Sequence, residues 1–159
     1  MHPRAAEFTE RAREAYGLEV EPHEFPEGTK TAADAAEAVG CTVEQIASSI
    51  AFDVDGELVV VVTSGANHVD ESKLATLLDA SEDDVSMADA DRIKKTLGWS
   101  IGGVPPFCHD TDVRTFLDET LTEFETVWAA AGTPEAVFPV EPDTIRQHAD
   151  ARVVDIAVE

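Results

Sequence analysis

At 159 residues and 17.1 kDa the chain has the length of one domain, able to bury roughly 70% of the surface its unfolded form exposes. Its 33 acidic residues against 11 basic ones give a net charge of −22, which argues against non-specific binding to duplex DNA, because neutralising phosphates takes clustered Lys and Arg. Cys41 and Cys108 are far apart and in no metal-type spacing, and the longest apolar run, Leu58 to Val62, is far too short to span a membrane. A reduced, cytoplasmic compartment is expected.

The N-terminal segment carries Ala5, Phe8, Ala12 and Ala15 at helical spacing, with Gly17 as the stop, so a helix is predicted over residues 3–16. Residues 18–25 alternate as Leu18, Val20, Pro22 and read as a short edge strand, followed by a loop at Glu27–Lys30. Thr31 with Asp34 three residues on opens an Ala-rich helix that ends at Gly40, and Thr42 caps a second short helix, Val43 to Ala47. Ser49–Val54 and Leu58–Thr63 are apolar β-type runs joined by Asp55-Gly56, a hairpin signal; the second run is continuous in valine and is expected to lie centrally, covered on both faces.

After a tight loop at Ser64–Asn67, Asp70 caps a helix through Leu78, and another helix spans 89–97 and stops at Gly98. Residues 99–109, WSIGGVPPFCH, show neither helical nor strand period and read as a loop. Strands follow at 113–117, 124–129 and 136–140, then a helix opened by Pro142 and running to His148, and a last strand at 153–157. The pattern is α/β: one domain over residues 1–159, a mixed sheet flanked by helices, with long loops on one face.

The acids run along the whole chain, and lysine is confined to Lys30, Lys73, Lys94 and Lys95. Such a surface suits very high intracellular salt, where screening offsets self-repulsion, and a halophilic protein is expected, with a mesophilic protein of acidic surface as the alternative. In concentrated salt a nucleic-acid ligand would be held through stacking and shape.

Gly102-Gly103-Val104-Pro105-Pro106 is the stretch most informative about chemistry. A double glycine lets backbone amides approach a ligand, the prolines fix the loop, and preorganised amides are what a developing oxyanion on an ester carbonyl needs. A plain tight connection is the alternative. Asp118 follows a strand, where a carboxylate either anchors an amine or caps the next turn; the cap is favoured. Cys108 and His109 are adjacent, and neighbours on an extended chain point opposite ways, so no nucleophile–base dyad is expected. Trp99, Phe107 and Trp128 are candidates for stacking on a terminal adenine, with core packing as the commoner role.

Read together, TAADAAEAVG (31–40), EQIASSIAF (44–52), LVVVVTSGANHVDESKLATLL (58–78), GWSIGGVPPFCH (98–109), FLDETL (116–121) and VWAAAGTPEAVF (127–138) resemble, in order and spacing, the YbaK family, whose members are similar to the editing domain of bacterial prolyl-tRNA synthetases. The resemblance implies a YbaK-like fold and a trans-acting deacylase that hydrolyses the ester joining a wrong amino acid to the 3′ end of tRNA, with no metal or organic cofactor. It implies catalytic roles for the loop at Gly102 and Gly103 and for Ser48, which stands where the family normally has a lysine. It further implies a substrate pocket drawn from Thr31, Ser49, Gly65, Asn67, His68, Val104, Pro105, Asp118, Gly132 and Thr133. The partners implied are the aminoacyl-tRNA 3′ end and an aminoacyl-tRNA synthetase; the rival readings are an inactive binding module and a synthetase accessory subunit.

Overall fold

A computed structural model describes residues 2–25 and 31–158. The loop expected at Glu27–Lys30 lies outside the described residues. In chain order the elements are α1 (Pro3–Tyr16), β1 (His23–Glu24), α2 (Ala32–Val39), β2 (Ile46–Val54), β3 (Glu57–Ser64), α3 (Glu71–Leu77), β4 (Val85–Met87), α4 (Ala90–Leu97), β5 (Arg114–Asp118), β6 (Val127–Ala130), β7 (Ala136–Val140), α5 (Pro142–His148) and β8 (Arg152–Val154). Short 3-10 turns lie at Val43–Gln45, Glu82–Asp84 and Glu119–Glu123.

The strands form one mixed sheet in the order β1-β7-β6-β2-β3-β5-β8, with β4 added beside β2. The α/β architecture expected from the element pattern is the one observed. Asp55 and Gly56, at φ 51° and 89°, make the tight turn of the β2–β3 hairpin, which only residues tolerant of the left-handed region allow. β3 lies inside the sheet, antiparallel to β2 and parallel to β5, and is buried from Leu58 to Ser64, as its unbroken valines require.

Capping is local and follows the sequence. Thr31 Oγ1 accepts from the Asp34 amide at 3.1 Å, Asp70 Oδ1 from the Ser72 amide at 2.9 Å, and Asp89 Oδ1 from the Arg92 amide at 2.8 Å. Gly17, Gly40 and Gly98 close α1, α2 and α4 in the left-handed conformation.

Four boundaries differ from the sequence reading; one is the last strand, expected over 153–157, which spans Arg152–Val154 and leaves Ala157 in an isolated bridge to Val69. The strand expected over 18–25 reduces to His23–Glu24, because the Leu18 amide is taken by Ala12 O in the C-terminal cap of α1. The helix expected over 43–47 is a single 3-10 turn, after which Ile46 and Ala47 pair with Trp128 and Ala129 and so begin β2. The strand expected from 124 starts at Val127, since the Phe124 amide closes the preceding 3-10 turn onto Leu121 O.

The larger core lies on one face of the sheet. Phe8 of α1 stands at its centre, with ring centroids 4.9 Å from Phe138, 5.8 Å from Phe107 and 6.1 Å from Trp99. On the opposite face Phe52, Val59, Val61 and Phe116 pack with Leu74 of α3 and Ile156. The strand alternation that sends Val60 and Val62 into the first core sends Val59 and Val61 into the second.

Candidate functional site

One edge of β2 is fully paired with β3; the other is divided. β6 covers Ile46 and Ala47, β4 covers Phe52 to Val54, and the Ala88 amide reaches Ala51 O at 3.1 Å. Between them Ser48, Ser49 and Ile50 have no strand neighbour on that side among the described residues. A cavity of about 490 Å³ fills this gap. Because successive side chains of a strand point to opposite faces, Ser48 (paired with Thr63) and Ser49 (paired with Val62) flank the open edge from its two sides.

The walls are small and apolar. Ala32 and Ala35 of α2, Ala51, Ala88, Ile93 of α4, Ala130, Ala136 and Val137 contribute, with Phe25 and Trp128 as the large rings. No Asp, Glu, Lys, Arg or His side chain lines the cavity among the described residues, although the chain carries 33 acids. Its polar groups are Thr31, Ser48, Ser49, Thr133 and exposed main chain. Thr31 Oγ1 caps α2 and Thr133 Oγ1 accepts from the Glu135 amide at 3.3 Å, so both are engaged. Ser49 Oγ is buried and has no hydrogen-bond partner.

Two abutting loops close the cavity opposite β2. Gly102, at φ 85°, turns the chain so that the Gly103 amide donates to Ser100 O at 2.9 Å. Gly103 is thus a packing glycine: a Cβ there would lie 2.6 Å from Thr133 Cα. Its amide is engaged inside the turn, whereas the Gly102 and Val104 amides have no backbone acceptor among the described residues. Gly102 and Val104 line the cavity; Pro105 is buried behind them, its carbonyl accepting from His109 Nε2 at 2.7 Å.

Of the residues expected at a substrate pocket, Thr31, Ser48, Ser49, Gly102, Val104 and Thr133 are therefore brought together, while Gly65, Asn67, His68, Pro105, Asp118 and Gly132 are not on this wall. Gly65 packs under the turn at 43–45, where a Cβ would meet Val43 O at 2.7 Å. Gly132, at φ 92°, lets α1 and Trp99 close on the second loop, a Cβ there lying 2.8 Å from Arg4 O and from the Trp99 ring. His68 is exposed and offers its carbonyl to the Val158 amide at 2.9 Å.

Asp118 is 1% exposed and has a structural task. It receives Thr63 Oγ1 at 3.0 Å, the Ser64 amide at 3.1 Å, Asn67 Nδ2 at 2.9 Å and the Thr120 amide at 3.0 Å. Burial alone would raise its pKa, but the donors from Asn67, Thr120, Ser64 and Thr63 outweigh it and hold the carboxyl below the ordinary aspartate value. This is the cap favoured from sequence, extended to tie the end of β3 to the end of β5; an amine anchor it is not.

The remaining candidates resolve in the same way. Burial pushes the Cys108 thiol up to about 11 and lowers the His109 pKa, so the pair offers neither thiolate nor imidazolium near neutrality. Trp99 and Phe107 are 0% and 1% exposed, which excludes them as stacking surfaces; Trp99 Nε1 donates to Cys108 O at 2.9 Å. Of the three aromatics, Trp128 alone reaches the cavity. Among the described residues no group of three His, Cys, Asp or Glu side chains comes together as a metal site would need. No helix among them is long and apolar enough to cross a membrane.

The sequence reading missed Met87 and Ile101 at the cavity mouth, and Pro134 beside Thr133. β4 is only three residues long, too short for a period to show, and Ile101 looked like an ordinary loop residue.

The site is thus a mixed α/β sheet whose central strand opens part of one edge onto a cavity with no charged lining side chain among the described residues, closed by a Gly/Pro loop. Residues 26–147 match the sequence model of the aminoacyl-tRNA editing domain, and the chain belongs to that family. It is 28% identical over 131 residues to YwhH of Bacillus subtilis (strain 168), covering 82% of each protein. It is 32% identical over 132 residues to the proline–tRNA ligase of Leuconostoc citreum (strain KM20), a match spanning 82% of this chain and 22% of the ligase. A solved structure described as a candidate trans-editing enzyme for prolyl-tRNA synthetase superposes with a TM-score of 0.93 at 31% identity, covering 100% of this chain and 99% of that one.

Proposed function

We propose that the protein is a trans-acting aminoacyl-tRNA deacylase whose acyl group enters the cavity on the open edge of β2. The observation that carries this reading is the cavity: about 490 Å³, walled by small uncharged side chains, and closed by a turn whose Gly102 and Val104 amides have no backbone acceptor. Such a chamber suits an amino-acid side chain of modest size, and amides at its lip suit the carbonyl of its ester.

In this reading water attacks the carbonyl carbon, the bond to the ribose oxygen breaks, and the ribose leaves as its hydroxyl while the amino acid leaves as its acid. The loop amides take up the charge on the carbonyl oxygen in between. No titratable side chain lines the cavity among the described residues, so the substrate's own ribose hydroxyl or amine is the group that orients the water. The partners are the aminoacyl-tRNA 3′ end and, as a docking partner, an aminoacyl-tRNA synthetase; the working compartment is the cytoplasm.

Ser48 is the test residue, since it lines the cavity at the position read as the family's lysine. Ser48→Lys is expected to raise deacylation of some mischarged tRNA at least about tenfold, because a positioned cation in a partly dry site contributes on the order of 1.4 kcal/mol or more to the transition state. The assay is release of labelled amino acid from a panel of mischarged tRNAs in concentrated KCl. If Ser48→Ala slows the enzyme and Ser48→Lys blocks it, the serine itself orients water or substrate. If neither change alters an active enzyme, Ser48 lies outside the reaction. Wild type and Ser48→Lys both inert on the whole panel would leave the rival binding module as the better reading.

The net charge of −22 supports adaptation to high salt. With the Debye length near 30 Å at about 0.01 M salt, carboxylates across the surface repel one another, and added salt screens them. The melting temperature is therefore expected to climb steadily between about 0.1 M and about 3 M KCl. A flat or falling curve by circular dichroism would remove the halophilic reading.

A further inference from the structure

Among the described residues the exposed large hydrophobics are Met87 at 61%, Ile101 at 53%, Val153 at 39% and Val158 at 56%. Two of the four belong to one place. Met87 ends β4 and Ile101 stands at the tip of the turn closed by Gly103, and both line the mouth of the cavity. Ile101 is held half in water at a turn tip, sharing the cavity lining with a second exposed apolar side chain, on a surface otherwise rich in carboxylates.

We infer that Met87 and Ile101 form an apolar clamp for the terminal nucleobase of the acylated RNA. The inference rests on the deacylase reading, from which its geometry follows. An acyl group seated against β2 is joined through its ester to the ribose, so the ribose and its base must emerge where the cavity opens. The exposed lining side chains include the thioether of Met87 and the branched chain of Ile101, with no basic side chain among the described lining residues. A nucleobase presents a flat, poorly hydrated face that apolar side chains can hold. The phosphates behind it face a protein of net charge −22, where ion pairing contributes little and salt weakens it further. Recognition through the base survives concentrated salt. Trp99 and Phe107 are buried away from such a contact, and Trp128 lines the cavity wall without being among the exposed side chains that Met87 and Ile101 present.

The test compares two small substrates, an amino acid esterified to adenosine and the same amino acid esterified to an abasic ribose. Met87→Ser, Ile101→Ser and the double variant alter exposed positions, and circular dichroism with thermal melting verifies that each is folded. In wild type the adenosine ester is expected to have the lower KM. In the double variant that advantage shrinks about tenfold, the KM for the adenosine ester rising while kcat stays within about threefold. A non-hydrolysable 3′-amide of aminoacyl-adenosine, titrated calorimetrically, is expected to lose affinity in the same proportion.

An advantage for adenosine that is undiminished in the double variant overturns the clamp and leaves the deacylase reading standing. An equal loss on both esters also overturns it, because the side chains would then shape the acyl cavity and not hold the base. If wild type hydrolyses neither ester nor any mischarged tRNA, and the 3′-amide does not bind, the function and the clamp fall together.

Discussion

Gly102→Ala is expected to reduce deacylation on the order of 100-fold while leaving the protein folded. The residue sits at φ 85°, a conformation that costs an L-residue about 1–2 kcal/mol, and it lines the cavity within the turn that the Gly103 amide closes onto Ser100 O. The steric space is adequate: an added Cβ would meet Pro134 Cγ at 3.4 Å, an ordinary contact. The expected penalty on stability is correspondingly small, a few degrees in melting temperature for a domain of this size. The effect on rate is larger because relief of the strain rotates the peptide unit and turns an oxyanion donor away, and one such donor is typically worth about 100-fold or more. Activity retained within about threefold would reduce the loop to a connection. Gly103→Ala is the contrasting case, since a methyl 2.6 Å from Thr133 Cα pushes the two loops apart and disturbs the fold itself.

The largest effect on stability is expected at Asp118. Asp118→Ala removes an acceptor for two amides, a hydroxyl and a side-chain amide, gathered on a residue that is 1% exposed. Hydrogen bonds to a charged acceptor contribute about 1.5–3 kcal/mol each, with strong non-additivity within a cluster, so a loss of about 3–5 kcal/mol is expected. Urea denaturation reads it directly. The pH dependence carries a sign: the folded pKa lies below the ordinary value near 3.9, so the contribution is fully present above that value and disappears as pH falls through the folded pKa. The difference between wild type and Asp118→Ala should therefore narrow in acid. A gap that does not change with pH would show that the carboxylate is not held ionised by its four donors.

Much of the fold was legible because its signals are local. Asp55-Gly56, the caps at Thr31, Asp70 and Asp89, the stops at Gly17, Gly40 and Gly98, and the aperiodic stretch 99–109 each act within a few residues of themselves. The cavity was not legible in that way. It exists because β4 and β6, about forty residues apart in sequence, each cover only part of the same edge of β2. Nothing in EQIASSIAF announces a strand left open over Ser48–Ile50 along one edge.

The resemblance placed Ser48, Ser49, Gly102, Val104 and Thr133 near one another, but sequence order suggested more company than the fold allows. Asn67 follows β3 and Asp118 ends β5, its parallel neighbour, so the two meet each other rather than the cavity. Gly65 and Gly132 were expected at the pocket, yet each is required by a close approach of chain to chain. Ile101 escaped notice for the opposite reason: exposure of an apolar side chain is a property of the finished surface and leaves no mark in a loop sequence.

The most direct test of this account is the initial rate of amino-acid release from mischarged tRNAs by the wild-type protein in concentrated KCl, measured against the uncatalysed reaction at the same salt. Release from at least one mischarged tRNA, well above the uncatalysed rate and lost in Gly102→Ala, is the predicted result. Release indistinguishable from the uncatalysed rate on every mischarged tRNA, by protein shown folded at that salt, would contradict it.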